Sequence, residues 1–247
     1  MSIGPAIGSF LATTYGLDQM FYLSSVFALA SIVILSRMKE TLPKAMKSSL
    51  RLSLFRIGWK DVFEPKVVPV FWIMLFVSFS AGAVITLIPD TSKIIGWTNK
   101  GLYFTIYTIS SIVIRFFFSK ASDQYGRIPL LIFGCFMLSI SMFLLVFSAN
   151  SYILIASAII YGIAWGFNTP TLAAWTNDLG DRNHMGRAMA TMYIALEAGI
   201  GLGAYIAGEI YQGIPAHIPI PFLFAGILSL LAFLLLWKNK KNSLKNI

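Results

Sequence analysis

The residue most able to carry chemistry is a glutamate inside an apolar stretch. Glu197 lies about nine residues into the stretch 188–211, or roughly 14 Å along a helix that rises 1.5 Å per residue. A carboxylate at that depth of a bilayer is costly unless it is protonated, paired or facing water. These are the properties of a proton-coupling site, but a protonated glutamate that hydrogen-bonds neighbouring helices has them too. Both interpretations stay open.

Arg115 is another charge inside an apolar stretch. It lies one to two turns from a helix end, so it can extend to the membrane interface or pair with a carboxylate such as Asp123. Structural anchoring is favoured over contact with a substrate.

The run Asn168–Thr169–Pro170 places a polar pair and a proline in an apolar stretch, which predicts a kink and a cavity lining. The candidates for a substrate cavity are Tyr107, Tyr161, Trp165 and Asn168, with interior packing as the alternative for the aromatic residues.

Sequence patterns for hydrolytic, redox or metal chemistry do not occur in this chain. HExxH, CxxC, GxSxG and phosphate-loop patterns are missing from the sequence, which argues against an enzyme and more strongly against an ATP-driven pump. His184 and His217 fall on opposite sides of the membrane in the topology below, so they cannot share a metal. Cys135 is the single cysteine, which excludes an intramolecular disulfide. We expect no catalytic residue, no cofactor and no metal, and interpret the polar segment 177–184 as a solvated turn.

The composition indicates that a membrane must position these residues. Hydrophobic residues make up 57% of the chain, charged residues 12%, and the mean hydropathy is +0.76, whereas soluble domains are about one-quarter charged. Apolar stretches of about twenty residues span a bilayer as helices, because all backbone groups must be hydrogen-bonded internally. The stretch 2–15 is too short to span and is interpreted as the remnant of a helix rather than a signal peptide. Full spans are predicted at 19–36, 67–89, 101–119, 129–148, 152–175, 188–211 and 218–237.

A long polar segment divides the chain into two helical parts. Residues 1–36 contain two helices, the first truncated, and residues 67–237 form a six-helix bundle followed by a basic tail at 238–247. In the segment 37–66, apolar residues alternate with basic ones, which predicts an amphipathic helix on a membrane surface, with a solvated linker as the alternative. The spacings Gly162-x-x-x-Gly166 and Gly199-x-x-x-Gly203 predict helices that cross closely.

The distribution of basic residues predicts the orientation in the membrane. Sixteen lysines and arginines lie in one set of alternate loops and the tail, while only Lys93 and Lys100 lie on the opposite side. Loops rich in Lys and Arg face the cytoplasm, so the segment 37–66 and the C-terminus are predicted to be cytoplasmic, in the plasma (inner) membrane. The net charge of +9 thus reflects topology. The chain has no basic helix face or nucleic-acid-reading motif, so we expect no nucleic-acid partner.

One loop and several helix ends resemble a known family. The run Ser119-Lys-Ala-Ser-Asp123-Gln-Tyr-Gly126-Arg127 resembles the G-x-x-x-D-R-x-G-R loop between helices eight and nine of the major facilitator superfamily, with Ser119 and Gln124 replacing the first Gly and the first Arg. Gly4-Pro5-Ala6-Ile7-Gly8 resembles the G-P-x-x-G signature of helix five in proton-driven antiporters. The run Glu40-Thr41-Leu42-Pro43 is similar to the segment after helix six, and residues 187–203 resemble helix eleven. Together these similarities cover almost the whole chain.

The resemblance implies an all-α, polytopic membrane helical bundle with the superfamily fold, lacking helices one to four. It implies a gating loop at Asp123, Gly126 and Arg127 and an antiporter-like helix motif at Gly4, Pro5 and Gly8. The implied function is a secondary transporter, proton-coupled through Glu197, which moves a small solute across the lipid bilayer by alternating access, with export of drugs or metabolites slightly favoured. The chain would then be a fragment. An uptake permease for sugars or metabolites, and a non-transporting remnant or partner subunit, are the alternatives.

Overall fold

The computed structural model describes residues 3–38, 58, 62–118, 121–148, 150–181 and 184–245. Within these ranges only helices and their connections occur, without a β-strand, which confirms the predicted all-α class. Short 3-10 turns at Pro65–Val67 and Pro215–His217 precede two of the helices. The α-helices are α1 (Ile3–Thr14), α2 (Leu17–Ser36), α3 (Val68–Ile94), α4 (Leu102–Phe117), α5 (Ala121–Tyr125), α6 (Arg127–Val146), α7 (Ser151–Leu179), α8 (Met185–Tyr211) and α9 (Pro219–Lys245).

Six of the described helices are long and apolar enough to cross a membrane, and the chain is therefore a multi-pass membrane protein. They are α2, α3, α6, α7, α8 and α9. The full span predicted at 101–119 differs from the structure, because α4 has only 16 residues and is about 24 Å long at 1.5 Å per residue. The reason is its polar content: threonines, serines and Arg115 interrupt the apolar sequence, and the backbone leaves helical geometry at Phe118 (φ −117°, ψ 23°).

Other helix ends also differ from the predicted boundaries. α3 continues through Pro89 to Ile94, although a proline removes one backbone donor from the helix. α9 continues through most of the basic tail to Lys245. The amphipathic helix predicted within 37–66, and the run Glu40-Thr41-Leu42-Pro43, lie outside the described residues apart from 37–38, 58 and 62–66.

The long helices form a bundle in which sequence neighbours are rarely spatial neighbours. The main contacts follow the order α4, α7, α6, α9, α3, α8, and α1 contacts α2 and α4. The core is formed by apolar side chains of α3, α6, α7, α8 and α9, and it includes Cys135, which is 0% exposed. No residue of α2 is buried. A mostly apolar helix with this degree of exposure needs lipid or another protein surface around it.

Glycines allow α3 and α8 to cross closely. A Cβ atom placed on Gly203 would lie 2.1 Å from the carbonyl oxygen of Phe79, and one on Gly82 would lie 2.1 Å from the carbonyl oxygen of Ile200. Neither position can therefore hold a side chain without moving a backbone. Small residues allow this backbone approach in lipid, where dispersion contacts replace the hydrophobic effect as the driving force. The crossing involves Gly199 and Gly203, as their spacing predicts.

Candidate solute cavity and loop network

A cavity of about 350 Å³ lies between α3, α4, α7 and α8. Its volume is at the lower end of the range for small-molecule sites. Helical spacing explains its composition, because residues four apart share a face of a helix. On α4 this spacing aligns Tyr107, Ser111 and Arg115. On α7 the same spacing aligns Tyr161, Trp165 and Thr169. The polar and aromatic lining residues are Phe104, Tyr107, Thr108, Ser111, Arg115, Tyr161, Trp165 and Thr169.

Aromatic rings form one wall of this cavity. The ring centroids of Tyr107 and Tyr161 are 5.3 Å apart in an edge-to-face arrangement, and those of Tyr161 and Trp165 are 6.0 Å apart. Tyr103, which is fully buried, lies behind them with its ring 6.3 Å from that of Tyr161. Gly162 permits this approach, because a Cβ there would lie 2.1 Å from the carbonyl oxygen of Tyr107. Such ring pairs contribute about 0.5–1.5 kcal/mol each beyond buried area.

The structure brings three of the four predicted cavity residues together. Tyr107, Tyr161 and Trp165 all line the cavity, whereas Asn168 does not. The Asn168 side chain is 0% exposed and faces α6, where its Oδ1 would lie 2.1 Å from a Cβ on Gly134. On an ideal helix residue 168 lies about 20° from residue 161 and about 100° from residue 169, so Asn168 lies at the edge of the aligned positions 161, 165 and 169, on the side that meets Gly134 of α6. Neither amide atom of Asn168 has a hydrogen-bond partner in the described ranges.

Glu197 lies near the middle of α8 on an exposed face beside the cavity. The preceding residue, Leu196, and Ile200 line the cavity. Tyr193 and Gly201, one turn away on either side, are exposed like Glu197. The carboxylate forms no ion pair with the part of the chain that is described. Its side chain is thus available to a proton or to groups outside the described residues.

The predicted gating loop is held by an ion-pair network around Arg127. Its Nη1 lies 2.6 Å from Oδ1 of Asp123 and donates to the Ser122 hydroxyl at 2.7 Å, while its Nε donates to Oδ2 of Asp178 at 2.7 Å. Gly126 has a φ of 85°, a left-handed conformation that glycine adopts without a steric penalty. The network joins α5, α6 and α7, and this loop-bound Asp123 is not the partner of Arg115.

Arg115 lies between the cavity and the loop network. It lines the cavity and also a second pocket, of about 290 Å³, whose lining includes Asp123 and Arg127. Its side chain is exposed and forms no ion pair with any described residue.

The sequence did not predict Asp178 as part of the network, since it lies in a segment interpreted as a solvated turn. The predicted topology nevertheless contained a signal for this contact, because it places that segment and Arg127 on the same side of the membrane.

A buried ion pair that sequence reasoning missed ties the segment before α3 to α8. Glu64, 3% exposed, accepts hydrogen bonds from the guanidinium of Arg187, with 2.9 Å between Nε and Oε2. The backbone N–H of Glu64 donates to the hydroxyl of Thr191 at 2.8 Å, and that hydroxyl lies 3.0 Å from the carbonyl oxygen of Val62.

The predicted helix-five motif lies in α1, where a Cβ on Gly8 would be 3.6 Å from Sδ of Met20. Gly4 and Pro5 are in the same helix, and the role of the motif stays a prediction.

The Arg127–Asp178 ion pair is expected to stabilise the protein modestly. Both side chains are partly exposed, so we expect a coupling free energy of about 0.2–1 kcal/mol. The measurement is a double-mutant cycle with Arg127→Gln, Asp178→Asn and the double variant, with unfolding followed by titration with sodium dodecyl sulfate in mixed micelles. Asp18→Asn, at an exposed position on α2, is the matched control. Purely additive effects of the two changes would contradict the pairing.

The bundle of apolar helices holds a cavity of about 350 Å³, which is within the size range of small-molecule sites. The sequence profile of the Major Facilitator Superfamily matches residues 92–246, and the chain belongs to this superfamily of transporters. It is 27% identical over 173 residues to the quinolone resistance protein NorA of Staphylococcus aureus, covering 69% of this chain and 44% of that protein. It is 25% identical over 181 residues to multidrug resistance protein 2 of Bacillus subtilis, covering 70% and 44% respectively. The matched region thus spans less than half the length of these relatives.

Proposed function

We propose that this chain forms the C-terminal, cavity-bearing part of a proton-coupled exporter of small drug-like or metabolite solutes. The observation that carries the proposal is the aromatic cavity between α3, α4, α7 and α8, with Glu197 exposed beside it. The names of the relatives, which are drug-resistance proteins, favour export over uptake. The basic loops and tail favour a plasma-membrane location with the C-terminus in the cytoplasm.

In the proposed mechanism the solute and the proton bind to neighbouring elements. Tyr107, Tyr161 and Trp165 offer an apolar wall to the solute. Glu197 takes up a proton on the face of α8 that borders this wall, because a neutral carboxyl group is tolerated in lipid or at a closed interface while a charged one is not. Protonation thereby changes which surroundings the α8 face can accept. Alternating access requires a link of this kind, in which the charge of Glu197 determines whether its helix face can contact lipid or a closed protein interface.

The loop network has a separate part in the proposal. Arg127 holds α5 against α6 and α7 through Asp123 and Asp178. These contacts lie at the ends of the helices and not in the cavity. Because surface ion pairs of this kind are individually weak, they can break and re-form as the helix ends move. They therefore suit a gate that opens in each transport cycle.

The test is flux driven by an imposed pH gradient in proteoliposomes that contain the full-length gene product. We expect Glu197→Gln to lower pH-gradient-driven export at least tenfold, because the amide cannot exchange a proton. Glu209→Gln, near the end of the same helix and exposed, is the matched control and should leave flux unchanged. Unchanged pH-dependent flux in Glu197→Gln would refute the coupling role. Flux in the uptake direction would instead favour a permease.

A further inference from the structure

We propose that the pocket of about 290 Å³ beside the loop network binds an anionic phospholipid, with Arg115 as the partner of the lipid phosphate. This pocket, called the loop pocket below, lies between α4, α5, α6 and α7. Among the described lining residues, Arg115 is the single one that it shares with the aromatic cavity. The proposal concerns a lipid site, so it does not depend on which solute is transported or on how transport is driven.

The loop pocket lies where acyl chains give way to headgroups. At the end of α4 the side chains of Phe116, Phe117 and Phe118 are 78%, 72% and 51% exposed. Apolar rings with this exposure need acyl chains around them. Tyr125, on the following short helix, is also exposed, and its amphipathic ring suits the membrane interface. The predicted orientation makes this the cytoplasmic leaflet, whose surface carries anionic lipids.

Arg115 provides the loop pocket with a positive charge that no described carboxylate compensates. The carboxylates of Asp123 and Asp178 both pair with Arg127, whereas Arg115 forms no ion pair with a described residue. An arginine at the edge of a bilayer is costly unless an anion or water compensates it. Its planar set of N–H donors matches a phosphate with two hydrogen bonds, and basic pockets between spanning helices suit anionic headgroups. A lipid phosphodiester would supply the missing anion.

The rest of the wall favours a lipid over a soluble phosphate. Its apolar side chains come from α4, α6 and α7 and include Ile114, Leu130, Phe167 and Ala174. A Cβ on Gly166 would lie 3.0 Å from Cγ2 of Ile114, so α4 and α7 approach closely at one end of the pocket. A soluble anion would leave the apolar wall in contact with water. The glycerol backbone and first acyl carbons of a lipid would cover it.

Two acceptor groups at the loop pocket favour a headgroup that carries hydroxyls. Pro170 lines the pocket one turn after Gly166, and because proline has no N–H it cannot donate to the carbonyl oxygen of Gly166. The carboxylate of Asp123, whose side chain is 68% exposed, is the other acceptor. Phosphatidylglycerol offers both a phosphate and donor hydroxyls. Phosphatidylethanolamine offers an ammonium group to Asp123 but has no net charge, which makes it the informative comparison.

The experiment is native mass spectrometry of the full chain in detergent micelles, titrated with three lipids that have the same acyl chains. They are phosphatidylglycerol, phosphatidylethanolamine and phosphatidylcholine. We expect the first phosphatidylglycerol to bind about tenfold more tightly than either of the other lipids, through the charge-assisted hydrogen bonds of Arg115. Arg115→Gln should bring the three affinities within about twofold of one another, and Arg115→Lys should retain part of the preference. Lys93→Gln, an exposed position at the end of α3, is the charge-matched control and should keep the full preference.

Two substitutions without a change of charge locate the bound lipid. Ala174→Phe fills the loop pocket, so it should weaken phosphatidylglycerol about as much as Arg115→Gln does. Tyr107→Leu alters the aromatic cavity alone and should leave this binding unchanged. Thermal unfolding is the second measurement: phosphatidylglycerol should raise the midpoint of the parent chain, because a ligand of the native state stabilises it. The rise should be absent from Arg115→Gln and from Ala174→Phe.

Competition with glycerol 1-phosphate, the soluble headgroup, distinguishes a lipid site from a phosphate site. We expect it not to displace phosphatidylglycerol when both are present at the same concentration, because it lacks the acyl chains that cover the apolar wall. Full displacement would show a site for soluble phosphates and overturn the proposal. Tighter binding of phosphatidylethanolamine, a preference that survives Arg115→Gln, or a loss caused by Tyr107→Leu instead of Ala174→Phe would overturn it as well.

Discussion

Replacing Arg187 with methionine is expected to lower the free energy of unfolding by about 3–5 kcal/mol, because it leaves the buried carboxylate of Glu64 without its partner. Glu64 is 3% exposed, so water cannot replace the lost hydrogen bonds. The segment before α3 would keep only its hydrogen bonds to Thr191 among its described polar contacts with α8. The measurement is unfolding by titration with sodium dodecyl sulfate in mixed micelles, with the midpoint and slope compared to those of the parent protein.

The reciprocal change gives the matched control for this ion pair. Glu64→Gln leaves Arg187 with a side chain that is 27% exposed, which water can partly solvate. We therefore expect a clearly smaller loss of stability than in Arg187→Met. The double variant should be more stable than Arg187→Met alone, because no unpaired buried charge remains. Equal losses for the two single variants would show that burial of the carboxylate is not what makes the pair important.

Adding one methyl group at Gly203 is expected to be strongly destabilising, while the same change two residues earlier is not. A Cβ on Gly203 would lie 2.1 Å from the carbonyl oxygen of Phe79, whereas one on Gly201 meets nothing within 4 Å. Overpacking of this kind costs about 1–3 kcal/mol. In a helix interior, alanine is favoured over glycine by about 1 kcal/mol. Because this gain applies equally to both positions, we expect Gly203→Ala to be less stable than Gly201→Ala by about 1–3 kcal/mol.

The comparison is informative because both variants have the same composition and lie on the same helix. It uses the same unfolding titration, with monomer yield in size-exclusion chromatography as a second measurement. Equal stability of the two variants would mean that α3 and α8 do not cross closely at Gly203. It would also remove the support for the position of Ile200 on the cavity wall, since that residue lies opposite Gly82 at the same crossing.

The sequence predicts the helices of this fold well because lipid imposes a single rule on backbone hydrogen bonds. Long apolar stretches such as those in α3, α6 and α9 have no alternative to a helix in a bilayer. The rule is less decisive for α4, which mixes apolar residues with Ser111 and Arg115. Its ends lie within two residues of the predicted stretch 101–119, but the helix is too short to count as a full span. Helix ends outside the bilayer are also unconstrained by the rule, which explains why α9 runs on to Lys245.

The candidate site is predictable only as far as it depends on spacing along one helix. Tyr161 and Trp165 are four residues apart, and the structure places both on the cavity wall. Asn168 has the right chemistry, but it lies at the edge of this helix face and is directed toward Gly134 of α6 instead of the cavity. The pairing of Glu64 with Arg187 joins positions 123 residues apart, and no local pattern encodes such a contact. It depends on how α3 and α8 pack, which the sequence does not specify by itself.

The buried position of Cys135 makes this chain a convenient background for chemical labelling. It is the single cysteine of the chain, and its thiol lies within the core formed by α6 and its neighbours. Maleimide reagents need an accessible thiolate, so we expect that the parent protein does not react with them. A cysteine introduced at Tyr193 or Tyr205, both exposed on α8, would then report reagent accessibility from that position alone. Accessibility mapping of the uncovered surfaces can begin without first removing any native cysteine.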